Sequence, residues 1–445
     1  MAAAMMRIGC GAGFSADRLD PAVDLAQRGE LDALVFECVG ERTLAFGHRD
    51  RMRDPQAGFN PWLERRLRAV LAPCAQRGAT IVTNMGVANP RAAALRAVAV
   101  ARELGLGGLK VAAVEGDEVT HLMRPDTPLW EGATIAEHEH ALVAANAYLG
   151  ADALLPALQA GAQVIITGRV ADPSMFLALL RHRFGWSDDD WHRLAAGTLV
   201  GHLLECAGQI TGGYFADPGV KDVPGLARLG FPFAEVDAQG NAVISKLEGT
   251  GGEVSARTVK EQMLYEVHEP TAYLTPDVSA NFATVQVTQQ GSDRVRVSGA
   301  QGAARPHALK ATVAFDGGFL AEAGVSYAGP GAGARARLAG EVVAERMHAV
   351  HGIDLPLRVD LVGVDSLHAS ARRREPDGED VRLRCAMRSP DNERAQTLLW
   401  EVESLLCCGP YGGGGYRGQV TPSVVTCSAS VARDAVTPRI EVFEA

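Results

Sequence analysis

The chain has 445 residues, 47% of them hydrophobic and 22% charged, which is enough material for two or three globular domains. A formal net charge of −10 without any long basic run excludes nucleic acid as a partner. No apolar stretch approaches the roughly 20 residues of a membrane span, which excludes a membrane-spanning role.

The opening Met-Ala-Ala-Ala-Met-Met-Arg-Ile is too short for a secretory signal, and Met5 or Met6 offers an alternative start. Short apolar runs predict strands at 7–13, 33–39, 80–86, 109–116 and 163–170. Helices fall between them. One carries the stripe Leu63, Leu67, Val70, Leu71 and Cys74; another carries Phe176, Leu179, Leu180 and Phe184. The alternation predicts an α/β fold with a doubly wound, mainly parallel sheet over residues 6–214. Too few βα units are visible for an eightfold barrel.

Residues 215–280 read as a Gly-rich connecting segment followed by a helix, with a hinge at 215–228. Over 281–445 the texture changes. A hairpin at 282–289 and 294–299 turns at Gly291-Ser292. Strand 319–327, helix 334–351, strands 357–365 and 381–388, helix 392–407 and strand 422–431 follow. That βαββαβ order predicts an α+β C-terminal lobe of the split-βαβ, ferredoxin-like kind.

Eight cysteines, at 10, 38, 74, 206, 385, 407, 408 and 427, form no CxxC pair and read as reduced thiols of a cytoplasmic protein. Glu137-His138-Glu139-His140 imitates a metal box. Positions i and i+2 of a helix do not face each other, however, so no metal is expected there.

Three strand-to-helix junctions share a pattern: Asn60-Pro61, Asn89-Pro90 and Asp172-Pro173. Asn or Asp can cap the first helical turn, and Pro is preset for the position after it. These junctions leave the carboxyl ends of parallel strands, where open α/β sheets bind ligands. Glu37, Asn84, Arg169 and Asp172 fall on that rim and suit a substrate carboxylate or phosphate. Capping alone also accounts for Asn89 and Asp172, and a structural ion pair for Arg169.

Gly9-Cys-Gly11-Ala-Gly13-Phe14 approaches the dinucleotide fingerprint G-x-G-x-x-G, but its sixth position is Phe14. A nicotinamide-dependent oxidoreductase is therefore kept as an alternative, and a tight turn is the simpler reading. Further on, a helix ends by delivering Glu205, Cys206, Gln209 and Thr211 into a Gly-rich turn. Glu205 suits general acid/base work. Cys206, beside a carboxylate, is disfavoured as a thiolate nucleophile. Glu248-Gly249-Thr250-Gly251-Gly252 precedes a helix capped by Ser255, where backbone N–H groups can face an anion. Glu248 is the second acid/base candidate. The segment 409–418 packs six glycines into ten positions, which suggests a closing loop with Tyr411, Gly413, Gly414 and Arg417 as ligand contacts.

Gly11-Ala-Gly-Phe-Ser-Ala-Asp-Arg18, Thr83-Asn-Met-Gly86, Ile166-Thr-Gly-Arg-Val-Ala-Asp-Pro173 and Glu205-Cys-Ala-Gly-Gln-Ile-Thr-Gly-Gly213 stand out as motifs. With Glu248–Gly252, Gln262–Pro270 and Pro276–Val278, they make a chain that resembles the acyclic terpene utilisation A (AtuA) family over essentially its full length. The resemblance implies a catabolic protein found with carboxylases and other enzymes that degrade branched acyl-CoA thioesters. It also implies a small companion protein, separate from this chain. It assigns no catalytic residue and no cofactor.

Together these readings predict a cytoplasmic catabolic enzyme acting on a branched carboxylic acid or its acyl-CoA thioester. The chemistry is proton transfer, as in a lyase, hydratase or isomerase, with Glu205 as base and Arg169 and Arg417 holding carboxylate or phosphate. A rival of another class is a non-catalytic subunit that binds the companion or an acyl-CoA. A homo-oligomer is expected, a dimer with residues 280–445 at its interface.

Overall fold

Five runs of aliphatic residues form the parallel centre of a ten-stranded sheet in the computed structural model, which describes residues 5–367 and 379–445. Across the centre the order is Met5–Ala12, Ala33–Phe36, Thr80–Thr83, Val164–Thr167, Lys110–Glu115. Each adjacent pair is parallel. The strands are buried from end to end apart from a few terminal positions, as a sheet covered on both faces requires.

The two faces are separable at the first strand. A Cβ on Gly9 would lie 2.7 Å from Leu31 and 3.4 Å from Leu25 of helix Asp20–Arg28. Its neighbour Cys10 points the other way, with Sγ 3.7 Å from the Glu205 carbonyl. On one side, helices Asp20–Arg28, Leu63–Arg77 and Pro90–Glu103 pack in a row. On the other, Leu155–Gln159, Asp172–Phe184 and Trp191–Leu204 do so. Helix Leu63–Arg77 buries the expected stripe and ends at Gly78 in the left-handed region. Residues 194–204 are buried without interruption, so that helix is core all round rather than amphipathic.

The sheet is parallel only in its centre. Pro232–Asp237 and Ala242–Lys246 extend it antiparallel beside the first strand, inside the segment expected to be a connection. The hairpin Gln286–Gly291 and Arg294–Ser298 continues this edge through Ala242–Lys246. At the far edge, Arg439–Glu444 pairs antiparallel with Lys110–Glu115. His138 and His140 follow a single 3₁₀ turn, Ile135–Glu137, and not the expected helix.

Two compact units divide the chain: residues up to 314 with 426–445, and residues 315–425. The second unit has the βαββαβ order, with strands from Ala308–Ala328, Leu357–Val362, Asp380–Ser389 and Gly414–Ala432 and helices Ala332–Ala349 and Asn392–Cys408. Its strand order places Asp380–Ser389 between Leu357–Val362 and Ala308–Ala328, with Gly414–Ala432 outermost. That is the split-βαβ arrangement the sequence predicts. Its core gathers Val325, Tyr327, Val343, Leu383, Leu398 and Val402. Among the described residues, no helix is long and apolar enough to cross a membrane.

Candidate functional site

The loops that leave the first, second and fourth strands of the parallel centre open into a cavity of about 1130 Å³ within the first unit. Gly13–Arg18 contributes one wall, Glu37–Thr43 a second and Arg169–Pro173 a third. The turn after helix Trp191–Leu204 adds Glu205, Cys206 and Gln209. Tyr265 and Glu266 come from the Gln262–Pro270 motif, while Tyr148, Tyr273 and Lys310 arrive from segments without one.

Arg169 is the cation at the floor, with a side chain only 3% exposed. Its Nη2 donates to both carboxylate oxygens of Asp172, at 3.0 and 3.2 Å, and its Nη1 donates to the Val39 carbonyl. The guanidinium lies 4.0 Å from the centre of the Tyr148 ring. Its backbone N–H donates to Asp117 at 2.7 Å, and Asp117 also accepts from Asn146, whose amide oxygen meets His48. Burial pushes Asp117 up to about 6. Burial works against the Arg169 charge too, but Asp172, Tyr148, Glu37 and Glu41 more than offset it and raise its pKa.

Asp172 begins helix Asp172–Phe184 but does not cap it; Ala171 is the N-cap and no side chain bonds there. The carboxylate is committed to Arg169 instead, which corrects the capping expectation. Asn89 does cap, accepting from Ala92 N–H at 3.3 Å, and Asn60 accepts from Trp62 N–H at 2.8 Å.

Glu37 accepts from Val39 N–H at 2.9 Å and from Asn84 Nδ2 at 3.0 Å, while Asn84 accepts from Cys38 N–H at 2.7 Å. Asn84 is fully buried behind Glu37 and is not a wall of the cavity. Burial, then the charge of Asp172, pushes Glu37 up to about 8. An acid raised in this way holds its proton in the folded state, so stability is lost as pH rises from 4.5 toward 8. Glu37→Gln should flatten that fall; urea midpoints measured across this range with an unchanged slope would exclude the assignment.

Glu205 caps the end of helix Trp191–Leu204 and is buried. Its Oε1 lies 3.2 Å from His202 Nδ1, while Oε2 is buried without a hydrogen-bond partner among the described residues. Burial raises the Glu205 pKa well above the carboxylate range, and the charges of Asp172 and Glu266 add to this. Burial lowers His202 to about 4, so the imidazole is neutral. The His202 ring packs at a tilt against Tyr273 and stacks with Phe282, at ring separations of 5.1 and 5.7 Å. Burial, then Glu205, also raises the Cys206 thiol, which opposes a thiolate.

Backbone geometry is unusual here. Ala207, Tyr214 and Glu266 have φ of 43°, 59° and 58°, in the left-handed region that non-glycine residues seldom occupy. Ala207 and Tyr214 follow Glu205 in the chain, and Glu266 is another wall of the cavity.

Other candidates lie elsewhere. Thr211 is buried and its hydroxyl donates to the Gly208 and Gly230 carbonyls. Glu248 is exposed, and neither it nor Gly249, Thr250, Gly251 or Gly252 is a wall of the cavity. The glycines there are accounted for by packing: a Cβ on Gly251 would sit 2.0 Å from the Gly225 carbonyl, and Gly252 has φ of 85°. Tyr411, Gly413, Gly414 and Arg417 belong to the second unit. Tyr411 lies 5.4 Å from the Arg335 guanidinium, Gly413 packs on Tyr327, and Arg417 donates to the Tyr416 carbonyl at 2.7 Å. Gly9, Gly11 and Gly13 likewise face Leu31, Phe36 and the Cys206 backbone, which explains those glycines without a dinucleotide. Among the described residues, no group of three or more His, Cys, Asp and Glu is placed to hold a metal ion.

The fold and the cavity define a mixed α/β protein with a large acid-lined cleft at the carboxyl ends of its parallel strands. Residues 6–442 match the family described as acyclic terpene utilisation family protein AtuA, and the chain belongs to that family. No curated protein and no solved structure matches it.

Proposed function

We propose that the protein is a catabolic enzyme that acts on a branched carboxylic acid or its acyl-CoA thioester by proton transfer, as a lyase, hydratase or isomerase. The carrying observation is Glu205, a buried carboxyl with one unpartnered oxygen at a cavity large enough for such a substrate. Burial favours its protonated form, so the acid form donates first and its conjugate base accepts in the return step. Tyr273 is held un-ionised by its own burial and by the nearby carboxylate, and is the donor for the substrate carbonyl oxygen. A cytoplasmic location, a homodimer and a small companion protein belong to the same proposal.

The test is incubation of the purified chain with branched acyl thioesters in deuterium oxide, followed by mass spectrometry. Turnover, or deuterium at the carbon α or β to the carbonyl, is the expected result. Thioester that binds yet gains no deuterium and yields no product overturns the enzyme reading in favour of a non-catalytic subunit.

A further inference from the structure

We infer that the cavity floor accepts an uncharged acyl group, the carbonyl end of a thioester, ester or amide, and rejects the free carboxylate of the same acid. This rests on the small-acyl reading above and chooses between its two substrate forms.

Six carboxyl groups line the cavity, those of Asp17, Glu37, Glu41, Asp172, Glu205 and Glu266, against three cations, Arg18, Arg169 and Lys310. Arg169, the cation at the floor, is already occupied by Asp172 and the Val39 carbonyl, and its remaining Nε is shut off from solvent. Lys310 lies 3.5 Å from Glu41 and 4.9 Å from the Tyr148 ring centre, and Arg18 donates to the Leu226 carbonyl at 2.7 Å. No floor cation is left for an incoming carboxylate. That carboxylate would be partly desolvated with no cation to pair it and would be repelled by the Glu266 carboxylate, which costs far more than burying a neutral carbonyl. An uncharged carbonyl meets no such repulsion. It can accept a hydrogen bond from a protonated carboxyl or from the Tyr273 phenol. Phe14, Trp130, Leu229, Phe231, Leu274 and Leu309 give the walls the apolar surface that a branched hydrocarbon buries. Arg18 and Lys310 occupy the more exposed positions, and suit charge carried at the far end of a ligand rather than at its acyl end.

Titration calorimetry on the full chain at neutral pH tests this with one branched acyl group in three forms: the N-acetylcysteamine thioester, the primary amide and the free carboxylate. Thioester and amide should each bind at least about tenfold more tightly than the carboxylate. Asp172→Asn, which releases the Arg169 fork, should narrow that ratio to about threefold or less. A carboxylate that binds wild-type protein as tightly as the amide overturns the inference, whatever the variant does. Discrimination without proton exchange overturns only the enzyme reading; exchange with equal binding of all three overturns only this inference; binding of none overturns both.

Discussion

Glu205→Gln should lower turnover of a branched acyl thioester by about 10²–10⁴-fold while leaving the protein folded. The amide keeps the volume and can still bond to His202 Nδ1, 3.2 Å away, but it cannot carry the proton. Burial already disfavours ionisation of Glu205, so neutral glutamine removes no stabilising charge, and the unfolding temperature should stay at or above that of the wild type. Cys206→Ala should stay within about tenfold of wild type, because a thiol raised by burial and by Glu205 is a poor nucleophile. Steady-state kinetics on both variants decide the matter. An inactive Cys206→Ala beside an active Glu205→Gln reverses the assignment.

The second large effect is on stability. Arg169→Met should destabilise the fold by about 3 kcal/mol at neutral pH, the low end expected when one partner of a buried pair is removed. The low end applies because the Arg169 side chain is 3% exposed while that of Asp172 keeps 31%. Burial already holds the Asp172 pKa above 3.8, and loss of Arg169 takes it higher. The folded state of the variant then binds a proton that the unfolded state releases. The deficit therefore grows as pH rises through the native Asp172 pKa, itself above 3.8, and shrinks toward acid. Urea midpoints should show a smaller loss at about pH 5 than at about pH 8, and Asp172→Asn in the same background should restore part of it. An equal loss at both pH values, unrelieved by Asp172→Asn, contradicts the ion-pair account.

The central strands were legible because aliphatic runs buried on both faces leave a continuous signal, as in Val164–Thr167. The expected runs were longer than the strands at their carboxyl ends. Residues such as Val39 and Val170 stay apolar and buried after the ladder stops, so composition does not mark the end. The antiparallel flank was missed. Pro232–Asp237 and Ala242–Lys246 turn at Gly240, with φ of 86°, but surrounding Pro and Gly suggested a connection. Glu37, Arg169 and Asp172 could be read as rim residues because each follows the end of a strand, and Glu205 as an acid/base group because it ends a helix. Tyr148, Tyr273 and Lys310 could not, since each is a lone residue brought in by distant packing. Glycine density misled at 248–252, where close backbone contact and positive φ demand glycine without any ligand.

The pairing of Arg439–Glu444 with Lys110–Glu115 has a consequence for biosynthesis. Translation is vectorial, so Val111, Ala112, Ala113 and Val114 emerge long before the strand that will cover their edge. Residues 315–425, which form their own compact unit, are also completed earlier. Until Arg439–Glu444 leaves the ribosome, the nascent sheet has a bare, hydrophobic margin open to pairing with other chains. So distant a closure should slow folding, and the yield of soluble protein should rise with holding chaperones and at lower expression temperature.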